Sequence, residues 1–325
     1  MKNILLTYDY EVFFVKFGTV SNSLLTPTQM LINKMNEYSM KGTFFVDVLY
    51  LDYLRRQGNI VELNRIQDQL RWLVSSGHRI ELHIHPHWLD TDNGEPNFFR
   101  YRLQSFSKDE QCDIFELGLN ILYSIANKED SSYKVLAYRA GGWCIQPFNA
   151  LMDTFRKYKI KIDSSVAAGM YQKSESHFFD FRNAPVTEWY RYKDDVNIAD
   201  DSGDFIEIPI STFNTTPFQK LYKRWIAKKN KTQIISYGDG YGMTVSKFVL
   251  LRKLFERKAM YSIDGVFDIK LMSDMVDINS LNTINYISHP KNLTNFSLNY
   301  LDVISTRNMQ FMTLADYYNV VNQVY

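Results

Sequence analysis

The sequence is poor in cysteine, in excess charge of either sign and in long apolar runs, and each shortage excludes a class of protein. Cys112 and Cys144 are the only cysteines among 325 residues, so we expect free thiols in a reducing compartment and no disulfide framework. Lys and Arg number 37 against 36 Asp and Glu, which leaves no strong field to attract nucleic acid or an acidic membrane. No apolar run approaches the roughly 20 residues of a membrane span, and the run after Met1 is too short for a signal-peptide core. We therefore expect a cytoplasmic protein without a membrane span.

Short apolar runs alternate with helical patterns along the whole chain, and this alternation predicts an α/β fold with a parallel sheet and helices outside it. Helices are predicted over 59–76, 107–126 and 245–258, among others. The chain has no linker and no internal repeat, so we expect one domain over 1–325, with insertions near 90–106 and 166–204. Strands are predicted at 4–7, 43–46, 79–83, 135–138, 160–162, 205–210 and 285–288.

Polar residues follow several of these predicted strands. Asp9 and Glu11 come after the first strand and share one side of it if the extended conformation continues. Two carboxylates so placed repel each other unless a metal or an arginine lies between them; the alternative is a pair of solvated acids. Arg139, Asp163 and His289 end later strands. Because the carboxyl ends of parallel barrel strands meet at one mouth, we expect these residues to share one pocket.

Four of the six histidines lie between Gly77 and Trp88. On a continuing strand His83, His85 and His87 share one face, and any two of them could bind a metal. The alternative is a polar loop that is rich in histidine. His78 is expected to be a structural residue at a helix end or on the surface, and His177 a surface residue.

Five short motifs, in the order of the chain, resemble those of the polysaccharide deacetylases, the NodB-like group called carbohydrate esterase family 4. Ile84 stands where that family usually has Ser or Thr, and Gly141 where proline is common. The motifs are Thr7-Tyr8-Asp9-Tyr10-Glu11, Gly77-His78-Arg79-Ile80 with His83-Ile84-His85-Pro86-His87, Arg139-Ala140-Gly141-Gly142-Trp143, Asp163-Ser164-Ser165 and Ile287-Ser288-His289.

The resemblance implies an irregular (β/α) barrel of about seven parallel strands and a role for each matched residue. Two histidines and a carboxylate leave open positions on a metal for water and a substrate oxygen. Zinc is the expected divalent metal, although cobalt, nickel or iron would also fit these ligands. The implied roles are general base for Asp9, orientation of that base for Arg139, general acid for His289, and metal ligation for Glu11, His83 and His87.

The implied activity is removal of an N-acetyl group from a sugar in the biosynthesis of a polysaccharide or glycan precursor. Predicted substrate contacts are Trp88, Trp143, Asp163 and Tyr10, with packing as the alternative for the two tryptophans and Tyr10, and a structural role as the alternative for Asp163. Hydrolysis of another C–N amide and a carbohydrate-binding barrel without activity stay open as alternatives. An iron oxygenase with the same ligand types is disfavoured, because such enzymes usually have all-β folds. The glycine-rich stretch 237–242 lacks the lysine of a phosphate-binding loop.

Overall fold

A sheet of short, buried strands organises the computed structural model, which describes residues 1–242, 254–264 and 268–322. The strands are β1 (Lys2–Tyr10), β2 (Thr43–Asp47), β3 (Arg79–Ile84), β4 (Ala137–Ala140), β5 (Ile162–Asp163), β6 (Tyr171–Lys173), β7 (Phe178–Asp180), β8 (Tyr190–Tyr192), β9 (Phe205–Glu207), β10 (Thr212–Asn214), β11 (Lys258–Met260), β12 (Thr283–Ser288) and β13 (Met309–Met312).

The main sheet has the strand order β12-β1-β2-β3-β4-β5-β9-β8, and β13 also pairs with β1. All of these pairings are parallel except that of β8 with β9. The antiparallel pairs β6–β7 and β10–β11 form two small separate sheets. The predicted α/β class with a mostly parallel sheet is therefore confirmed.

Helices surround this sheet, and no helix in the described residues is both long enough and apolar enough to cross a bilayer. Short 3₁₀ turns follow several strand ends, among them 86–89, 141–143 and 290–292. The helices are α1 (Thr26–Glu37), α2 (Val48–Arg56), α3 (Ile60–Ser75), α4 (Lys108–Ala126), α5 (Met152–Tyr158), α6 (Pro217–Lys229), α7 (Ile269–Ile278), α8 (Asn295–Ser305) and α9 (Leu314–Asn322).

Local sequence signals explain several of these boundaries. A capping box begins α4, since Ser107 accepts from the Glu110 backbone N–H while the Glu110 carboxylate accepts from the Ser107 backbone N–H. Gly77, just after α3, has φ of +78°, a left-handed conformation that glycine adopts without strain. The predicted helix over 59–76 is thus confirmed as α3.

In three parts of the sequence the described secondary structure adds to the prediction or differs from it. Helix α2 was not predicted, because seven of its nine residues are buried and its polar face is short, consisting of Asp52, Arg55 and Arg56. The predicted insertion at 166–204 contains β8, which joins the main sheet, as well as the β6–β7 pair. Of the predicted helix at 245–258, residues 245–253 lie outside the described part of the chain, and Lys258 begins β11.

The two edges of the main sheet approach each other beyond β9. The Ser211 backbone N–H donates to the carbonyl of Asn285 at 2.9 Å, and Tyr261 connects to both Ser211 and Ile287 through backbone hydrogen bonds of 2.9 and 3.0 Å. In the described residues, no continuous ladder of strand pairs joins β8 to β12. The predicted closure of the sheet into a barrel therefore stays a prediction.

Candidate active site

The inner face of the sheet, which is the face that α9 contacts, is apolar near the start of the strands and polar further along them. Leu5, Phe45 and Ala137 belong to a small buried cluster that Leu314 and Tyr317 of α9 complete. Two residues further along each strand the same face carries polar groups instead of apolar ones. Those groups are Thr7 and Asp9 on β1, Asp47 on β2, and Arg139 on β4.

Arg139 is completely buried and holds Asp9 in one orientation. Its Nη1 donates to Asp9 Oδ1 at 2.8 Å, its Nη2 to Thr7 Oγ1 at 2.9 Å, and its Nε to the Ser164 carbonyl at 2.7 Å. The guanidinium also lies 4.1 Å from the centre of the Phe45 ring. A buried carboxylate requires such a charged partner, and the pairing leaves Asp9 Oδ2 facing the open side of the site.

Glu11, His83 and His85 form a cluster of buried metal-ligating side chains, with one donor atom from each within 4.8 Å of the others. The Nε2 atoms of His83 and His85 lie 3.1 and 2.7 Å from Glu11 Oε2. His83 Nδ1 lies 2.7 Å from the Arg139 carbonyl, to which it can only donate. With that proton on Nδ1, Nε2 keeps a lone pair for a metal. Metal-bound histidines commonly have such an outer hydrogen-bond partner.

The electrostatics of this cluster are set by its burial and by neighbouring charges. Burial raises the pKa of Glu11, but Lys291 and the two histidines outweigh it and hold that pKa well below its usual range. Burial lowers the pKa of His83, but Asp9 and Glu11 raise it to about 9. For His85 burial dominates and lowers the pKa to about 4. Without a metal, Glu11 is therefore an anion between a protonated and a neutral imidazole.

Lys291, which the sequence analysis did not identify, occupies the other side of Glu11. Its Nζ donates to Glu11 Oε1 at 2.7 Å and to the Val12 carbonyl at 2.9 Å. The ammonium also lies over the Phe14 ring, 4.4 Å from its centre. Only 9% of the side chain is exposed. The one available signal was its position two residues after His289.

His289 lies on the accessible side of the site, with 18% of its side chain exposed. Its Nε2 is 3.6 Å from Asp9 Oδ2 and 3.7 Å from Glu11 Oε1, while its Nδ1 is 2.6 Å from Asp264 Oδ2. Burial lowers the pKa of His289, but Asp264 outweighs it and the net shift is upward. Asp264 carried no sequence signal, because it follows no predicted strand.

His87 is not part of the donor cluster. Its ring is enclosed by Phe14, Trp88, Phe98 and Tyr101, with ring centroids 4.7 to 5.8 Å away. Neither ring nitrogen has a hydrogen-bond partner among the described residues, and burial holds the pKa of His87 well below its usual range. Ligation by His87 stays a prediction, and the geometry places His85 in the position expected for it.

Gly141 explains how the His85 ring fits there. A Cβ at residue 141 would lie 2.7 Å from His85 Nδ1 and 2.9 Å from its Cγ, closer than real Cβ contacts allow. Gly141, noted above as a departure from the motif that this stretch resembles, therefore lies directly against the His85 ring. From the predicted insertion near 90–106, Tyr101 also reaches this region, and its ring centroid is 5.8 Å from that of His85.

Of the four predicted substrate contacts, Trp143 is the one with partly exposed surface. Trp88 is fully buried and donates from Nε1 to Asp47 at 2.6 Å, and Tyr10 is buried against Gln69. Asp163 is fully buried beside its register partner Glu207 on the face of β5 opposite Ile162. Contact of Trp88, Tyr10 or Asp163 with a substrate therefore stays a prediction that this burial does not support.

Asp163 and Asp47 are both completely buried, which the sequence did not reveal. Burial raises the pKa of Asp163 to about 6 and that of Asp47 to about 7. Asp47 lies behind the donor cluster, where it also faces the His85 backbone N–H at 3.4 Å. His177, predicted to lie on the surface, is partly buried, and its Nε2 lies 2.6 Å from the Gly142 carbonyl. Asp47 and His177 thus contact residues that belong to the donor cluster or adjoin it.

The donor set fits a divalent cation. One carboxylate oxygen and two imidazole nitrogens converge from different elements, and His83 has the outer hydrogen bond that orients a ligand. Glu11, His83 and His85 would hold the ion. Asp9 and His289 lie next to them without belonging to the cluster, so they are free to exchange protons with a molecule bound at the mouth.

Comparisons with solved structures identify the fold of the chain. A Mycobacterium smegmatis protein assigned as a polysaccharide deacetylase aligns over 99% of this chain and 91% of its own, with 14% sequence identity and a TM-score of 0.50. The chain has the fold of the NodB-like deacetylases. No family model and no curated protein matches its sequence.

The same fold also occurs in a protein with another named activity. A 4-alpha-glucanotransferase from Thermococcus litoralis aligns over 98% of this chain at 13% identity with a TM-score of 0.51. The chain spans 40% of that enzyme's length. Identities this low show the fold alone, so the activity must be argued from the site.

Proposed function

We propose that this protein is a metal-dependent hydrolase that removes the N-acetyl group from a sugar. The observation that supports the proposal is the position of Asp9 and His289 beside the Glu11–His83–His85 cluster. His289 Nε2 lies 3.6 Å from Asp9 Oδ2 and 3.7 Å from Glu11 Oε1. A proton acceptor, a proton donor and a set of metal ligands thus face the same small space.

The proposed ligands are Glu11 and His83 together with one further histidine, for which the donor geometry favours His85 over His87. We propose zinc, because two imidazoles and one carboxylate are a common catalytic zinc set. A divalent metal held there would supply an acidified water molecule and polarise the acyl carbonyl. The protein's own residues would carry out the proton transfers.

Asp9 is the proposed general base. Its Oδ2 accepts the proton of the attacking water, while Arg139 holds Oδ1 at 2.8 Å and keeps the carboxylate oriented. The water oxygen bonds to the acyl carbon as the C–N bond breaks. His289 donates a proton from Nε2 to the leaving nitrogen, and Asp264 holds Nδ1 on the opposite side of the ring. The products are acetate and a free amino sugar.

Within this class we propose a glycan precursor as the substrate. Trp143 at the accessible mouth would offer a ring face to the sugar. A panel of N-acetylhexosamine oligomers, nucleotide-linked N-acetylhexosamines and simple amides would separate this proposal from hydrolysis of another C–N amide. Acetate release from the amides alone would contradict the sugar assignment.

The test combines metal analysis with acetate release. Purified protein should contain or bind about one equivalent of a divalent metal, and chelation should abolish acetate release until the metal is returned. Asp9→Asn should lower kcat by about 10² or more, because it removes the proton acceptor. Asp274→Asn, which changes an exposed partner of Lys270, is the matched control and should retain activity. A protein that neither holds nor binds a divalent metal would refute the proposal.

A further inference from the structure

The two oxygens of Glu11 have different partners. Oε2 faces the Nε2 atoms of His83 and His85, whereas Oε1 accepts a hydrogen bond from the Lys291 ammonium at 2.7 Å. A carboxylate oxygen that accepts a hydrogen bond from an ammonium is a weaker metal ligand than one without such a donor, because the ammonium draws on its electron density and repels a second cation. The arrangement therefore leaves Oε2 as the oxygen available to a metal.

Lys291 is built into this position. Its Nζ has the Val12 carbonyl at 2.9 Å as a second acceptor and the Phe14 ring face at 4.4 Å. The backbone is fixed as well, since Gly238 of the glycine-rich stretch packs directly on the Lys291 carbonyl with no room for a Cβ. A long side chain with these partners has little freedom to leave Glu11.

Asp9 and Glu11 each already have a cationic partner. Asp9 is paired with Arg139 and Glu11 with Lys291, and both cationic side chains are at least nine-tenths buried. A divalent cation on Oε2 would sit on the far side of the same carboxylate from the ammonium. Like charges separated by one carboxylate in a poorly solvated site repel each other strongly.

From these contacts we propose that Lys291 is a positioning residue that restricts Glu11 to one-oxygen ligation and weakens the affinity of the site for divalent cations. One-oxygen ligation keeps a coordination position open for water and the acyl oxygen, and a weakened affinity makes the metal exchangeable. The inference rests on the proposed metal site, although it concerns affinity and coordination and does not concern turnover.

The experiment measures Co²⁺ and Zn²⁺ dissociation constants by competition with a chromogenic chelator, together with the visible absorption spectrum of the Co²⁺ form. Lys291→Met should bind both ions at least about tenfold more tightly than the native protein. Its Co²⁺ spectrum should also change, because the freed Oε1 adds a ligand. Lys291→Arg keeps the charge and should bind as weakly as the native protein. Lys270→Met, which removes an exposed lysine from its pair with Asp274, should change neither quantity.

Circular dichroism verifies that each variant is folded, and Lys291→Gln replaces the Met variant if that one is not. Unchanged or weaker metal binding in the neutral variant, with an unchanged spectrum, would overturn the inference while leaving the hydrolase proposal intact. Metal binding by the neutral variant but not by the native protein would support the inference and refute metal-dependent hydrolysis. Absence of binding in every variant would refute both.

Discussion

Asp264 contacts His289 through both of its carboxylate oxygens. Oδ1 accepts a hydrogen bond from the His289 backbone N–H at 2.9 Å, and Oδ2 lies 2.6 Å from the ring Nδ1. The pair fixes the ring so that Nε2 points toward Asp9 and Glu11. This relationship assigns a role to a residue that no sequence motif identified.

We expect Asp264→Asn to shift the alkaline limb of the pH profile of kcat/KM to lower pH. The Asp264 carboxylate stabilises the imidazolium and raises the pKa of His289, so its removal lowers that pKa. The acid form required for proton donation is then lost at a lower pH, and activity at neutral pH should fall by up to about 10². Asp302→Asn, at an exposed ion pair with Lys34, is the control. An unshifted alkaline limb would show that His289 is not the proton donor.

Arg139→Met should destabilise the fold as well as abolish activity. Because both partners are buried, the variant leaves the Asp9 charge without compensation, which typically costs about 3–5 kcal/mol of unfolding free energy. The double variant Asp9→Asn/Arg139→Met removes that charge and should recover part of the loss. Urea unfolding of the native protein, Asp9→Asn, Arg139→Met and the double variant gives the coupling energy directly. Strictly additive losses would mean that the two residues do not interact as the structure indicates.

The choice between His85 and His87 as a metal ligand can be tested by metal stoichiometry. We expect His85→Ala to lose the metal, because its Nε2 belongs to the donor cluster. His87→Ala should keep about one equivalent, although the loss of ring packing will lower its melting temperature. The reverse result, with metal retained in His85→Ala and lost in His87→Ala, would restore the ligand set predicted from the sequence.

Sequence patterns predicted the fold class because it depends on local periodicity, and the structure brings Asp9, Arg139 and His289 close together as expected for one pocket. Asp9 and Arg139 lie near the ends of β1 and β4, where residues of parallel strands are expected to meet at one edge of the sheet. The predicted convergence of residues from both ends of the chain is visible in the distances of His289 to Asp9 and Glu11.

What could not be predicted depends on contacts between distant segments. Which two of the three alternate histidines face Glu11 depends on the end of β3 at Ile84 and on the space that Gly141 leaves for the His85 ring. Asp264 and Lys291 bond to His289 and Glu11 across gaps in the sequence that carry no period. The burial of Trp88 likewise follows from its aromatic neighbours and its bond to Asp47, which a strand-end position does not reveal.

The buried His78 should make the stability of the protein fall in weak acid. Its Nδ1 accepts a hydrogen bond from the Gly42 backbone N–H at 3.2 Å, and burial lowers its pKa from 6.5 to about 4. Between those two values the unfolded chain binds a proton that the folded protein does not, so folding is disfavoured as pH falls. The expected loss from this group between pH 7 and pH 5 is about 2 kcal/mol.

His78→Asn keeps an acceptor for Gly42 but cannot be protonated, so its unfolding free energy should depend less on pH over the same interval by that amount. The variant also loses the edge contact with the Phe44 ring, whose centroid is 5.8 Å from that of His78. Phe44→Leu removes the same contact while His78 remains, and it should retain the native pH dependence. Urea unfolding of the three proteins at pH 7 and pH 5 measures the difference. Equal pH dependence in the native protein and His78→Asn would mean that His78 is protonated in the folded state and hence not buried as a neutral acceptor.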